Sequence, residues 1–320
     1  MGLFGLVEHR TQACDNRLLL LQLDKLLIMD IAAQGASPPL DTLMQDFERY
    51  DITQHALELV TYGFTVVPPE KLGVDDAFVD RLRNALISTS ERRHGIEIGD
   101  PATADVDEKI VGRKAWRLLF EDDAFVEASL NPVGLSLIRF LLGQSAVLSG
   151  NLWIIKPRTE SYVKLHSDAP GITLGAGTIA HVVNASWLCT DYNDVDDGPT
   201  VLVPGSFRFG RKPLPHESEP LDTPFPVVPL QGKAGSLAIW HGGTWHGSVP
   251  RRRDGLRITY VQNWMRSYMK QIHQWDDAPA ELIERHPELP HILGLDSMYP
   301  WREQPDPDRT FVLQSIDPYA

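Results

Sequence analysis

The chain has 320 residues and a formal charge of −13, long enough to bury a large core as one domain with helical additions. That acidity leaves no global positive field to gather phosphate backbones or anionic lipid, so nucleic acid and membrane surfaces are unfavourable partners. The two cysteines, Cys14 and Cys189, stand far apart and form no CxxC pair, which speaks against a zinc or dithiol module and fits a reducing, cytoplasmic setting.

Residues 1–60 read as helical, with Leu20, Leu23, Leu27 and Ile31 recurring at three- and four-residue spacing. Such a stripe ordinarily packs against the body of a protein, and a homodimer through it stays open. Gln22, Asp24, Lys25 and Asp30 interrupt the apolar run at 18–31, as expected of an amphipathic helix and not of a membrane span. Residues 1–7 lack the pattern of a signal peptide, and 317–320 form no peroxisomal or retention signal. The segment 63–67 (GFTVV) reads as a strand stopped by Pro68 and Pro69. A helix is expected over about 75–93. Another follows Asn131-Pro132, where Asn suits the N-cap and Pro the first turn. From about 146 short β-prone runs replace helical periodicity: 146–156, 161–166, 181–191, 200–203, 225–230, 236–240 and 256–264. Many short strands between Gly, Pro and Asp clusters suggest a sandwich or barrel. The Pro-rich, charged tail after about 275 reads as a partly helical covering segment.

Within the β-rich half lies Leu165-His166-Ser167-Asp168. On an extended backbone residues two apart project to one side, so His166 and Asp168 can reach one ion. Chance alone would place about one H-x-D in a chain this rich in Asp, so the pair by itself stands evenly between a metal site and a surface hydrogen bond. The segment 235–260 adds His246 and, eleven residues on, Arg257. Asp254-Gly255 is a turn signal between two β-prone runs. A hairpin centred between Arg251 and Arg252 would set His246 opposite Arg257, about 5 Å away. The guanidinium fork would then stand beside the ligand, able to grip a carboxylate at two points. Two imidazoles and one carboxylate leave open metal positions, the arrangement of non-haem iron(II) oxygenases. A closed four-ligand zinc site would leave no room for a co-substrate and O2 together.

With these residues in place, the chain resembles the phytanoyl-CoA dioxygenase-like branch of the iron(II)- and 2-oxoglutarate-dependent oxygenases. The resemblance runs from about residue 62 to 268: GFTVV at 63–67, GRKAWRLL at 112–119, LHSD at 165–168, NASWLCTDYNDVDDGPTVLVPGS at 184–206, WHGGTWHGS at 240–248, and Arg257. It implies a mainly β chain with a double-stranded β-helix (jelly-roll, cupin-like) core and helices N-terminal to and packed on the barrel. In these terms one catalytic domain spans 1–320: a mainly helical part at 1–145, the jelly-roll core with the metal site at 146–268, and a covering segment at 269–320. The resemblance further implies iron(II) held by His166, Asp168 and His246, with 2-oxoglutarate and O2 as co-substrates. Arg257 would pair with the far carboxylate of 2-oxoglutarate, and Thr200, Lys114 and Trp187 would be further contacts of that pocket.

The implied reaction releases succinate and carbon dioxide while hydroxylating, or otherwise oxidising, an unactivated C–H bond of a small-molecule metabolite. Substrates within the branch range from fatty acyl thioesters to natural-product intermediates. The acidic charge disfavours a CoA ester, and the reading leans toward a small, mostly apolar metabolite of specialised biosynthesis. Asp168 stands where halogenating relatives carry a small residue, which favours oxygen insertion. Phe207 stands where many relatives carry a His after the PGS turn, outside the metal set.

Two other classes stay open: a non-catalytic jelly-roll protein that binds a metal or small molecule, and a cupin-like metal-dependent isomerase or hydrolase, in which Arg257 would have no role. His241 competes with His246 as the distal ligand, although its step to Arg257 is sixteen residues. His94 and His181 read as ordinary hydrogen-bonded residues, and Arg257 alone would read as a strand-edge salt bridge with Asp254. Arg251, Arg252 and Arg253 read as a solvent-facing hairpin tip. Asp191, Asp194, Asp196 and Asp197 read as a solvated loop, since the calcium-loop spacing is missing. Trp240, Trp245 and Trp264 read as β-core aromatics.

Overall fold

Residues 40–169 and 179–295 are described by the computed structural model. The stripe from Leu20 to Ile31, Cys14 and the last part of the tail lie outside the described residues. Two helices, α1 (Leu40–Arg49) and α2 (Thr53–Tyr62), lead into β1 (Phe64–Val67). Gly63 sets this junction. At φ 83 it takes the left-handed conformation that ends α2 while its N–H donates to Leu59 O. A Cβ there would also run into Thr244 Oγ1 and the Phe207 ring, so only glycine meets both conditions.

Pro69 opens the single-turn α3 (Pro69–Leu72), where a missing N–H costs nothing. The helix α4 (Asp76–His94) begins where the Asp75 side chain accepts from Phe78 N. Asp107 and Asp122 cap α5 (Glu108–Val111) and α6 (Asp123–Ser129) in the same way. The Asn131-Pro132 signal is realised at the start of α7 (Pro132–Leu142), with Asn131 Oδ1 accepting from Gly134 N. No single described helix is long and apolar enough to cross a membrane.

The strands that follow are β2 (Ala146–Lys156), β3 (Val163–His166), β4 (Val182–Leu188), β5 (Thr200–Leu202), β6 (Val228–Pro229), β7 (Leu237–His241), β8 (His246–Ser248) and β9 (Arg257–Arg266). Two short helices, α8 (Ala280–Arg285) and α9 (Leu289–Ile292), complete the described chain. The strands form two antiparallel sheets, ordered β1-β7-β4-β9-β2 and β3-β8-β5-β6. Strand β1, although it precedes most of the helices, is thus an edge of the larger sheet.

Period-two alternation decides which way each residue of the larger sheet turns. Ile258, Tyr260 and Trp264 of β9, Ala185 and Trp187 of β4 and Ile239 of β7 join the helices in the main core. Leu188, Ala238 and Trp240 turn the other way and pack with Leu202 of the smaller sheet. The main core carries most of the apolar burial: Phe125 of α6 is fully buried with its ring 5.0 Å from that of Tyr260. Truncating a side chain of that size costs about 3–5 kcal/mol.

Several expectations change. Helical residues outnumber strand residues among those described, so the chain is mixed and not mainly β; the helices supply cover for one whole apolar face of the larger sheet. Nor do His246 and Arg257 face each other in a hairpin. Strand β8 pairs with β3 and β5, whereas β9 pairs with β2 and β4, so the chain crosses between sheets from Ser248 to Arg257. Arg251 explains the crossing. Its backbone bridges to Thr159, and its buried guanidinium donates to Asp197 and to the carbonyls of Asp254 and Gly255. Arg251 and Asp197 are therefore a buried ion pair, neither a hairpin tip nor a solvated loop. Arg253, more exposed, pairs with Asp194 and Asp197 from outside.

Candidate metal centre

His166 ends β3, His246 begins β8, and the two are register partners. Cross-strand partners point to the same face, and the two rings lie 4.2 Å apart between centroids. Each ring has its Nδ1 on a backbone carbonyl, Lys164 O at 2.9 Å for His166 and Thr244 O at 3.0 Å for His246. A carbonyl can only accept, so Nδ1 carries the hydrogen and each Nε2 presents a lone pair to the same space.

Asp168 lies just past the end of β3 and is held by its backbone N–H to Gly242 O at 2.9 Å. Its Oδ1 is 3.4 Å from His166 Nε2 and its Oδ2 is 3.3 Å from His246 Nε2. One ligand atom from each of the three residues falls within a 4.8 Å cluster. Burial would raise the Asp168 carboxyl, but hydrogen bonds that His166 and His246 donate when their Nε2 atoms are protonated, in the place a cation would take, outweigh it and hold the group well below the usual carboxylate range. The same contact with Asp168 outweighs burial at His166 and raises its imidazole. A negative charge against two imidazole lone pairs is a donor set for a divalent cation, and three protein ligands leave positions free for exchangeable ones.

The carboxylate has a further support that the sequence reading did not single out. Asn184 of β4 donates from Nδ2 to Asp168 Oδ2 at 2.8 Å, and its Oδ1 accepts from its cross-strand partner Asn263 of β9. Alternation along β4 would have found it, because Asn184 and Ser186 put polar side chains on one face of a strand that is buried throughout.

Arg257, first residue of β9, is 2 % exposed and donates to Gly198 O at 2.6 Å. Its guanidinium lies over the Tyr192 ring and its buried Nε has no protein acceptor among the described residues. Next to it, also unforeseen, stands Lys156 at the end of β2, paired in register with Arg257. Burial, reinforced by Arg257, pushes the Lys156 ammonium down to about 7. Thr200 of β5 pairs with Ser248 and so shares the face of Ser248, His246 and Leu202.

Two of the expected contacts point elsewhere. Trp187 alternates with Asn184 and turns to the helices, its ring 5.3 Å from that of Phe78 and its Nε1 donating to Ala128 O. Lys114 is exposed, sits at φ 49, and gives its ammonium to Arg93 O. His241 is separated from the cluster by the same alternation: Trp240 turns inward against the His246 ring, while His241 stacks on Phe207. Burial pushes the His241 imidazole down to about 3. Cys189 is a buried free thiol pushed up to about 12 by burial, which removes it as a nucleophile.

The family model for phytanoyl-CoA dioxygenase (PhyH) matches residues 59–259. The chain is 29% identical over 170 residues to Dioxygenase af480 of Aspergillus fumigatus, covering 52% of this chain and 53% of that protein. It thus spans about half the length of the curated relative it matches. Among solved structures, HygX from Streptomyces hygroscopicus with nickel and 2-oxoglutarate bound superimposes at a TM-score of 0.53 and 19% identity, over 72% of this chain and 93% of that one. HygX with iron bound gives 0.53 at 18% identity over 72% and 93%. At such identity the likeness is one of fold.

Proposed function

Because the chain belongs to the phytanoyl-CoA dioxygenase family, we propose that it is an iron(II)- and 2-oxoglutarate-dependent oxygenase acting on an unactivated C–H bond of a small-molecule metabolite, with release of succinate and carbon dioxide. The observation that carries this reading is the convergence of His166, Asp168 and His246 on one point with both imidazole tautomers preset. Iron(II) held there would supply, with 2-oxoglutarate and O2, the oxidising power for the C–H bond.

The rest of the chemistry belongs to the chain's own side chains. Asp168 stays ionised and contributes the negative charge, and Asn184 holds its second oxygen so that the carboxylate keeps one orientation. Arg257, buried with an unpartnered Nε, is suited to receive the far carboxylate of 2-oxoglutarate, which fixes the co-substrate at the end remote from the metal. Thr200 and Ser248 share that wall. Ile154, half-buried on the face of β2 opposite Trp153 and Ile155, offers an apolar surface between the sheets. That surface suits a largely apolar substrate, in keeping with a jelly-roll pocket.

The test is aerobic incubation with iron(II) and 2-oxoglutarate. Slow succinate formation without added substrate is expected, and a metabolite screen read by faster succinate release would identify the substrate. His166→Ala and Asp168→Ala should abolish both succinate formation and high-affinity metal binding. A wild-type protein that binds metal but never forms succinate with any substrate tried would favour a non-catalytic binding protein or a metal-dependent isomerase.

A further inference from the structure

We propose that Lys156 is a second cation for the far carboxylate of 2-oxoglutarate, acting beside Arg257, and that it takes up a proton from solvent when that carboxylate binds. The proposal rests on the reading of the site as a 2-oxoglutarate oxygenase and adds to it a residue and a proton linkage.

Register places Lys156 in the site. It is the cross-strand partner of Arg257, and directly opposite residues point to the same face. Trp153 and Ile155 of the same strand belong to the helix-side core, so Lys156 turns toward the space between the sheets. Its ammonium reaches the smaller sheet, 3.4 Å from Ser248 Oγ and 2.7 Å from Val249 O. Ser248 lies two residues from His246 on the same face of β8.

Charge gives the second argument. Lys156 and Arg257 are 4 % and 2 % exposed, and neither makes an ion pair with a carboxylate among the described residues. Two buried cations side by side are costly unless an anion joins them. The other charges facing Lys156 do not supply one. Arg251, in the crossing loop, is itself cationic and committed to Asp197. Glu108 of α5 acts on Lys156 from a distance and accepts from the Thr159 and Ser161 hydroxyls. Tyr192, beneath Arg257, is buried and kept neutral by that burial. The site therefore has room in its charge balance for a carboxylate, the group that 2-oxoglutarate carries at its far end.

The proton follows from the same facts. With no anion bound, the Lys156 amine is largely neutral above its depressed value of about 7. A carboxylate placed against it favours the ammonium. Binding above that pH then consumes one proton from solvent, converting amine to ammonium with no other bond made or broken. Affinity should fall toward tenfold per pH unit as pH rises above neutrality, and little below it.

Calorimetry on the nickel(II)-loaded protein tests this without turnover. The probes are 2-oxoglutarate and pyruvate, which shares the 2-oxo acid head but lacks the far carboxylate, each in two buffers of different ionisation enthalpy at pH 6 and pH 8. Wild type should take up close to one more proton with 2-oxoglutarate than with pyruvate at pH 8, and almost none at pH 6. Lys156→Met should lose about 10- to 100-fold in 2-oxoglutarate affinity, the worth of a charge-assisted bond, with pyruvate affinity unchanged. Lys156→Arg should recover the affinity without the proton uptake. Equal proton uptake for both probes in wild type overturns the proposal and needs no variant to fold. A Lys156→Met protein that binds 2-oxoglutarate as wild type does overturns it too, and leaves the oxygenase reading intact. Wild type that binds neither probe overturns the oxygenase reading together with the proposal.

Discussion

Asn184→Ala removes the amide that donates to Asp168 Oδ2 at 2.8 Å and strands the Asn263 amide that donates to Asn184 Oδ1. A hydrogen bond to a carboxylate is worth about 1.5–3 kcal/mol. The carboxylate of this variant would lose that orientation before any metal arrived, so part of the binding free energy would be spent on ordering it. Metal affinity should fall by about 10- to 100-fold, the usual range for groups that orient metal ligands. Asn263→Ala leaves the Asn184–Asp168 bond in place and should cost less than about tenfold. The assay is cobalt(II) or nickel(II) binding by chelator competition at fixed pH, with a thermal melt of the metal-free proteins to separate a local effect from loss of fold. A folded Asn184→Ala protein that binds metal within about twofold of wild type would show that Asn184 does not orient Asp168.

Trp187→Ala should destabilise the protein by about 3–5 kcal/mol and leave metal and 2-oxoglutarate affinities unchanged, because its ring meets Phe78 on the helix side; denaturant melts and calorimetry check the two halves of this expectation. The pH dependence of stability should carry a contribution from His241, whose burial pushes it from 6.5 to about 3. Between those values the unfolded chain binds a proton that the folded chain refuses. Stability is therefore full above pH 6.5 and falls by up to about 1.4 kcal/mol per pH unit as pH drops toward 3. Denaturant titrations at pH 4, 5 and 6 should show a shallower decline for His241→Asn. Arg251→Met strips Asp197 of its buried partner and should cost about 3–5 kcal/mol, whereas the double replacement with Asp197→Leu should recover much of it in the same melts.

Features that depend on near neighbours were legible in the sequence. The start of a helix at about Asp75, the Asn131 cap, the bounds of β2 at Ala146–Lys156 and the pairing of His166 with Asp168 all rest on residues a few positions apart. Such features follow from backbone geometry that every chain shares. His246 was found by its spacing within a family pattern, and its preference over His241 gains a physical basis from alternation along β7 and the start of β8.

Partner strands were not legible, and this is where the hairpin between His246 and Arg257 failed. Turn residues show that a chain reverses but not which sheet receives it. Here the choice is made by the buried Arg251–Asp197 pair, whose members are 54 positions apart, and by Lys156 meeting Arg257 across a register more than 100 residues distant in sequence. The same holds for Trp187 and Asn184: periodicity says that they face opposite ways, yet only the packed helices determine which face keeps the aromatic ring and which one holds Asp168. The sequence by itself determined which side chains are available to the candidate metal centre and most of the local elements around it. The tertiary structure alone decided which charges are buried together, because burial is a property of the whole packed chain and not of any segment of it.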